Sequence, residues 1–94
     1  MAESSNGSKR MSAMELARAA RTAIEELGEL PVESISGLEW DGDKWQVSVD
    51  VRELERIPNT TDVMATYVVD FDEEGSLLGY HRTRRYLRGQ ADGG

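Results

Sequence analysis

Residues 45–51 read WQVSVDV, a run in which apolar and polar side chains alternate at every position. Successive side chains of a β-strand point to opposite faces of a sheet, so the apolar members of this run share one face. An antiparallel strand with one buried and one solvated face shows this alternation. The run therefore demands neighbouring strands and a layer that covers the buried face. The side chains predicted to lie in the core are Trp45, Val47, Val49 and Val51.

The covering layer is predicted to be a helix over residues 12–27. Ser12 and Glu15 have the S-x-x-E spacing of a capping box, in which each side chain satisfies a backbone donor of the first turn. Gly28 is expected to follow the helix in a left-handed conformation, and Pro31 prevents the helix from continuing. The apolar residues at helical spacing are Leu16, Ala20, Ala23, Ile24 and Leu27.

Three further segments have strand character. VESISGLEW begins at Val32, and Gly37 within it indicates a bulge. Strands are also predicted over residues 63–72 and 77–86, with turns at residues 41–43 and 72–76. The predicted class is α+β, in which one N-terminal helix packs on a four-stranded antiparallel sheet made of two hairpins in a meander. Residues 12–88 form the single domain, and residues 1–11 and 89–94 are predicted to be disordered tails.

Composition excludes several classes of protein. Cysteine is absent from the 94 residues, which excludes disulfides, zinc–thiolate sites and cysteine nucleophiles. The N-terminal residues MAESSNGSKR lack the apolar core of a signal peptide. No run approaches the roughly 20 apolar residues of a membrane span, so we expect a soluble cytoplasmic protein that does not enter the membrane.

Catalysis is not indicated by any motif. His81 is the one histidine, and it lies in a charged strand without a serine or cysteine partner nearby. The sequence contains no P-loop, calcium loop or dinucleotide-binding fingerprint. We therefore predict that the protein is not an enzyme and that it uses no metal or cofactor.

Charge is distributed unevenly along the chain. The formal net charge is −7, which disfavours nucleic acid as a partner because phosphate neutralisation requires a basic face. Residues 22–43 contain seven acids and no lysine or arginine, whereas residues 80–88 contain four arginines and no acid. Opposite poles of this kind suit docking to a polar protein partner or to a second copy of the chain.

The arginines of YHRTRRYLRG have two possible roles. A regular hairpin would pair Tyr67 with His81 and would place Tyr80, Arg82 and Arg84 on one face. The arginines would then bind a partner, or they would pair within the domain with Asp50, Glu53, Glu55 or Asp70. We predict that Arg85 and Asp50 form structural ion pairs and that Arg82 and Arg88 face a partner.

Residues 45–88 contain an ordered series of short motifs. The series begins with W-x-V-x-V-x-V from Trp45 and includes Tyr67 and the turn residue Gly75. Its other residues follow E-x-x-R-I-P, T-x-D and Y-x-R-x-x-R-Y-x-R, and they are Glu53, Arg56, Ile57, Pro58, Thr60, Asp62, Tyr80, Arg82, Arg85, Tyr86 and Arg88. The series resembles the gas vesicle protein O family of accessory proteins, which are encoded in gas vesicle gene clusters. Asp50 departs from the family pattern, since glutamate is expected there.

The resemblance implies a non-enzymatic role in gas vesicle assembly, carried out in the cytoplasm or on the vesicle. We hypothesise docking to the shell protein or to other accessory proteins, with a homo-oligomer as a further option. An alternative is a nucleic-acid-binding regulator of gas vesicle gene expression, because arginine and tyrosine on one sheet face resemble RNA-binding sheets. The predicted docking residues are Glu53, Arg56, Asp62, Tyr80, Arg82, Arg84 and Arg88.

Overall fold

The computed structural model describes residues 11–90 and confirms the predicted α+β class. Helix α1 (Ala13–Glu26) precedes strands β1 (Val32–Trp40), β2 (Trp45–Leu54), β3 (Val63–Phe71) and β4 (Leu77–Leu87). All neighbouring strands are antiparallel, and their order β1-β2-β3-β4 is the predicted meander. Short 3₁₀ turns lie at Asn59–Thr61 and Arg88–Gln90.

The predicted tails lie outside the described residues, except at their inner ends. Met11 packs against the hydrophobic core, and residues 89–90 belong to the last 3₁₀ turn. The structure thus describes only residue 11 of the first predicted tail and residues 89–90 of the second.

Helix α1 begins at the predicted capping box, but it ends differently from the prediction. Ser12 Oγ accepts a hydrogen bond from the backbone N–H of Glu15 at 3.1 Å, and the Glu15 carboxylate accepts one from the Ser12 N–H at 2.8 Å. The left-handed residue after the helix is Glu29 (φ 56°), so the conformation predicted for Gly28 was wrong. Gly28 is close to the helix, since a Cβ there would lie 2.8 Å from the Ile24 carbonyl oxygen. Leu27, predicted to lie in the apolar stripe, is exposed.

The core lies between α1 and one face of the sheet, which we call the helix-side face. The alternation of β2 is confirmed, because its three valines are fully buried and Trp45 packs against them. The opposite face, which carries Ser48 and Asp50, is called the open face. The buried core residues are Leu16, Ala20, Ala23, Ile24, Val47, Val49, Val51, Ala65, Val69 and Phe71.

An aspartate closes each of the two tight turns, which connect β1 to β2 and β3 to β4. Asp41 Oδ1 accepts hydrogen bonds from the backbone N–H groups of Asp43 and Lys44, both at 2.9 Å. Asp72 Oδ1 does the same for Glu74 and Ser76, also at 2.9 Å. Each turn contains a glycine with positive φ, as expected for turns of this chemistry.

Bulges change the register of the sheet at several points. The bulge predicted near Gly37 is present, and Ser36 is the extra residue. Strand β4 contains two extra residues, Leu78 and Thr83, which a regular hairpin does not allow for. The pairing of Tyr67 with His81 was therefore wrong, since Tyr67 pairs with Arg82.

Helix α1 covers only part of the helix-side face. It packs mainly against β1 and β2, while β4 lies at the far edge of the sheet. Most residues of β4 are exposed as a result. The outer backbone groups of an edge strand have no partner within their own sheet, which makes β4 accessible through both its side chains and its backbone.

Candidate functional site

The β4 bulge at Thr83 separates arginines that the sequence had placed together. Thr83 donates a hydrogen bond from Oγ1 to the carbonyl oxygen of Thr66 at 3.2 Å. On either side of it, Arg82 pairs with Tyr67 and Arg84 pairs with Thr66, so the two arginines project to opposite faces. The expectation that Tyr80, Arg82 and Arg84 share one face was therefore wrong. Tyr80 and Arg82 lie on the helix-side face and Arg84 on the open face.

On the helix-side face, Glu53 is the common acceptor of a group that we call the Glu53 cluster, formed with Tyr67, Arg82 and Arg85. Its carboxylate accepts hydrogen bonds from Arg85 Nε at 2.9 Å and from Arg82 Nη1 at 3.2 Å. The Tyr67 hydroxyl donates a third at 3.3 Å. One largely buried carboxylate thus fixes two arginines whose side chains remain 44% and 58% exposed.

The charges of the Glu53 cluster affect its titration. Burial tends to raise the pKa of Glu53, but hydrogen bonds from Arg85 and Arg82 outweigh it and hold the pKa below its ordinary value. Burial raises the pKa of Tyr67, and the negative charge of Glu53 raises it further. The cluster therefore contains an ionised carboxylate and a neutral tyrosine at neutral pH.

The end of β4 is held by a second group, the Arg88 network, which consists of Arg88, Glu33, Asp62 and Arg52. Arg88 donates to both carboxylate oxygens of Glu33, at 2.8 and 2.9 Å, and its Nε donates to Asp62 Oδ2 at 3.0 Å. Arg52 lies 3.6 Å from Glu33. The guanidinium of Arg88 thus joins the first strand to the segment that enters the third, which suits the planar fork of arginine.

Asp62 lies beneath this network rather than on the surface. Its side chain is 2% exposed, and Oδ1 accepts a 2.7 Å hydrogen bond from the backbone N–H of Arg56. That hydrogen bond and the one from Arg88 hold the pKa of Asp62 below its ordinary value, although desolvation opposes them. The hydrogen bond from Arg88 likewise lowers the pKa of Glu33.

Arg84 lies beside Tyr86 on the open face. Its guanidinium carbon is 4.4 Å from the centre of the Tyr86 ring, a distance at which the cation attracts the ring face. Burial raises the pKa of Tyr86, and the nearby Asp50 carboxylate raises it further. These residues line a shallow groove of about 560 Å³ together with Ser36, Gly37, Glu39, Ser48 and Thr66.

The ion pairs differ from the predicted division of roles. Arg85 pairs with Glu53, whereas the Asp50 carboxylate accepts hydrogen bonds from the hydroxyls of Thr66, at 2.6 Å, and Ser34, at 3.4 Å. Arg82 and Arg88, predicted to face a partner, are also ion-paired within the domain. The Arg56 side chain is exposed, and the neighbouring Ile57 is 98% exposed.

The part of the chain that the structure describes contains no group of three or more His, Cys, Asp or Glu side chains arranged to hold a metal ion. Within the same residues, no helix is long and apolar enough to cross a membrane. His81 is exposed on the edge strand.

Comparison with known proteins gives the family. The sequence model of a family described as "Gas vesicle synthesis protein GvpO" matches residues 1–92. The chain belongs to this family. Five of the residues in the series that resembles gas vesicle protein O, namely Glu53, Asp62, Arg82, Arg85 and Arg88, take part in the two ion-paired groups that tie β4 to the rest of the sheet.

Three curated relatives bear the name gas vesicle protein O or O1. The one from a Streptomyces species is 42% identical over 81 residues, which are 86% of this chain and 63% of the relative. Those from Haloferax mediterranei and Halobacterium salinarum are 38% and 33% identical, each over 74% of this chain and over 51% and 59% of their own lengths. The chain thus spans about half to two thirds of the relatives it matches. No solved structure is significantly similar to it.

Proposed function

We propose that this chain is a non-enzymatic accessory protein of gas vesicle formation that acts by docking to other gas vesicle proteins. The relatives named gas vesicle protein O support the process. The observation that carries the docking mechanism is the exposed edge strand β4, which presents arginine and tyrosine side chains on both faces. Arginine and tyrosine are enriched among the residues that dominate binding energy at protein interfaces.

The proposed docking surface consists of β4 and the connection between β2 and β3. Tyr80, Arg82 and Arg84 are the contact residues on the strand, and Arg56 contributes from the connection. Glu53 supports Arg82 by fixing its guanidinium, which lowers the entropy lost when a partner binds. In this proposal Arg88 and Asp62 act indirectly, by holding the end of β4 against the connection.

The backbone of β4 adds a second source of affinity. A partner segment in extended conformation can pair with the free edge, so that main-chain hydrogen bonds add to the side-chain contacts. The charges of β4 would then select the partner, because opposite charges across a strand pair stabilise it and like charges destabilise it.

Nucleic acid is a poorer partner for the same surface. Arg82, Arg85 and Arg88 are already paired with carboxylates, so phosphate binding would have to compete with those ion pairs. The net charge of −7 would also repel a polyanion.

The test is a pull-down with the full chain as bait, in nuclease-treated lysate of cells that express a complete gas vesicle gene cluster. We expect recovery of the shell protein or of accessory gas vesicle proteins. Arg82→Ala combined with Arg84→Ala should reduce that recovery strongly. Arg21→Ala is the matched control, because Arg21 lies on α1 and pairs with Glu25.

Three outcomes would contradict parts of the proposal. If the bait recovers no gas vesicle protein, the docking function is wrong. If the folded double variant binds as well as the wild type, docking does not use β4. If the bait retains nucleic acid when nuclease is omitted, with a steep dependence on salt, the regulatory alternative is favoured.

A further inference from the structure

One helix is too narrow to cover the whole helix-side face. Neighbouring strands lie about 4.8 Å apart, so four strands span about 14 Å between the outer strand axes. A helix with its side chains is about 10 Å wide, and α1 lies mainly over β1 and β2. The side chains of β3 that face α1, such as Val69 and Phe71, are buried, but the strip of the face along β4, which we call the β4 side, is left without a covering helix among the described residues.

The β4 side has apolar ends and a cationic middle. Leu77 pairs with Phe71 at one end, and Leu87 pairs with Val63 at the other. Val63 also pairs with Leu54, so three apolar side chains form a row across three strands. Leu54, Leu77 and Leu87 are all exposed.

The cationic middle is formed by Arg82 and Arg85 of the Glu53 cluster. Arg82 donates to Glu53 from Nη1 and Arg85 from Nε. Their remaining N–H groups have no hydrogen-bond partner among residues 11–90. Two guanidinium groups share one carboxylate here, so the middle of the face carries a net positive charge that a carboxylate from outside would complement.

A largely apolar groove runs alongside the β4 side. It lies between the outer flank of α1 and the β3–β4 hairpin and has a volume of about 560 Å³. Exposed Leu27 and Leu77 form part of its wall, and the helix flank presents small residues between the opposite charges of Arg18 and Glu26. Helices pack on a sheet side by side at interaxial distances of about 8–10 Å, which is the position that this groove leaves open beside α1.

Residues 1–10 (MAESSNGSKR) and 91–94 (ADGG) lack an apolar stripe at helical spacing, so neither segment has the pattern of a helix that would fill the groove. The outer flank of α1 from a second copy carries Arg18 as well as Glu26, so its charges would complement the two arginines only in part. Charge complementarity instead favours a segment of a different protein that carries acidic side chains.

We propose that the β4 side of the helix-side face, together with the adjoining groove, binds an amphipathic helix of a partner protein, packed beside α1, with acidic side chains against Arg82 and Arg85. This inference rests on the proposed docking function and specifies the partner's chemistry. The nine paired positions from Leu77 to Leu87 span about 26 Å, which corresponds to about 17 residues of helix. The partner helix has apolar contacts near both ends and carboxylates midway.

Photo-crosslinking of the full chain, co-expressed with a gas vesicle gene cluster, tests the geometry. The photoreactive residue p-benzoylphenylalanine replaces Tyr80, on the helix-side face, or Tyr86, which pairs with Met64 on the open face of the same strand. We expect a cross-link to a gas vesicle protein that is much stronger from position 80 than from position 86, which lies beside Arg84 on the open face. Mass spectrometry of the cross-linked peptide should show an apolar stripe at helical spacing with acidic residues on its flank.

A charge exchange then tests the chemistry. Arg82→Glu, combined with Glu53→Gln so that two carboxylates do not face each other, should weaken binding of the cross-linked partner by about tenfold, which is about 1.4 kcal/mol. Replacing the partner's acidic residues by lysine should restore it. Leu77→Asp provides a second variant that leaves the ion pairs intact, and circular dichroism verifies that each variant is folded.

The outcomes separate this inference from the docking function. Capture of gas vesicle proteins together with a cross-link only from position 86 would overturn the inference and leave docking in place. A cross-link from position 80 to a second copy, or to a peptide without acidic residues or helical periodicity, would also overturn it. Failure to capture any gas vesicle protein would instead refute the docking function itself.

Discussion

Glu53 shows how one side chain can organise an exposed strand. It is the extra residue of a register shift near the end of β2, and it reaches two arginines on a strand that is not its neighbour. The sequence identified Glu53 as one of several acids that could pair with the arginines. It did not single out Glu53, because the choice depends on the register shift at Leu78, which turns Arg82 toward the helix-side face.

Removing the charge of Glu53 should destabilise the domain. Glu53→Gln leaves Arg82 and Arg85 without their anionic acceptor, and we expect the free energy of unfolding to fall by about 1–2 kcal/mol. Urea denaturation followed by tryptophan fluorescence measures the change. Glu55→Gln is the matched control, since Glu55 is exposed in the adjacent connection and should change stability by less than about 0.5 kcal/mol. Equal effects of the two substitutions would show that the Glu53 cluster is not stabilising.

The Asp62 carboxylate accepts a hydrogen bond from the Arg56 backbone and pairs with the charge of Arg88, and two substitutions can separate these interactions. Asp62→Asn keeps an oxygen that can accept from the Arg56 N–H but removes the charge that pairs with Arg88, whereas Asp62→Ala removes both. Because a buried donor without an acceptor is costly, we expect alanine to destabilise the domain more than asparagine does. Thermal unfolding of the two variants and the wild type gives the order. A less stable asparagine variant would contradict this reading of the site.

At the scale of elements, α1 and β2 were predictable because their patterns are local. The capping box fixes where α1 begins, and the alternation of β2 fixes which side chains enter the core. The end of α1 was less predictable. Glycine usually follows a helix for its left-handed backbone, but here it is needed because the chain passes close to Ile24.

Alanine substitutions at Gly28 and Gly79 test whether close contact with Ile24 is the reason for glycine after the helix. Gly28→Ala places a Cβ within 2.8 Å of the Ile24 carbonyl oxygen, so we expect destabilisation of about 1 kcal/mol or more. At Gly79, a Cβ would have no heavy atom within 4 Å, and alanine should be neutral or slightly stabilising. Chemical denaturation compares the two. A stabilising Gly28→Ala would show that the chain leaves α1 by a different path.

Strand β4 was the element whose orientation the sequence did not specify. Turn chemistry and strand propensity predicted that this strand forms. Each extra residue in it, however, moves the side chains that follow to the opposite faces of the sheet. Leu77 to Leu87 contains arginine and leucine at both odd and even positions, so no hydrophobic alternation marks the bulges. The docking residues could therefore be listed from the sequence but not assigned to faces.

At the scale of the whole molecule, the acidic ion pairs make stability depend on pH. The folded pKa values of Glu33, Glu53 and Asp62 lie below ordinary values of 4.5, 4.5 and 3.8. The folded state therefore binds fewer protons than the unfolded state, and acid favours unfolding. The stabilisation is complete above about pH 4.5 to 5 and is lost as the pH falls through the folded values.

Denaturation between pH 7 and pH 3 should show this loss, and Glu53→Gln should have a shallower pH dependence. A free energy of unfolding that stays constant down to pH 3 would contradict the proposed ionisation states. The raised pKa values of Tyr67 and Tyr86 give stability the opposite dependence on pH. Their contribution is present below the ordinary tyrosine value of 10.0 and is lost as the pH rises through the folded values.

The strand order also separates charges across the sheet. Strand β1 and the end of α1 carry exposed acids such as Glu26 and Glu39, whereas β4 carries Arg84 and the partly neutralised Arg82 and Arg85 at the opposite edge. The local positive charge along β4 therefore favours the approach of an acidic segment of a partner to this edge, against the repulsion of the net negative charge. At physiological ionic strength the Debye length is about 8 Å, shorter than the sheet is wide. Salt should consequently slow association, while the lifetime of the complex once formed depends on the contacts made at β4.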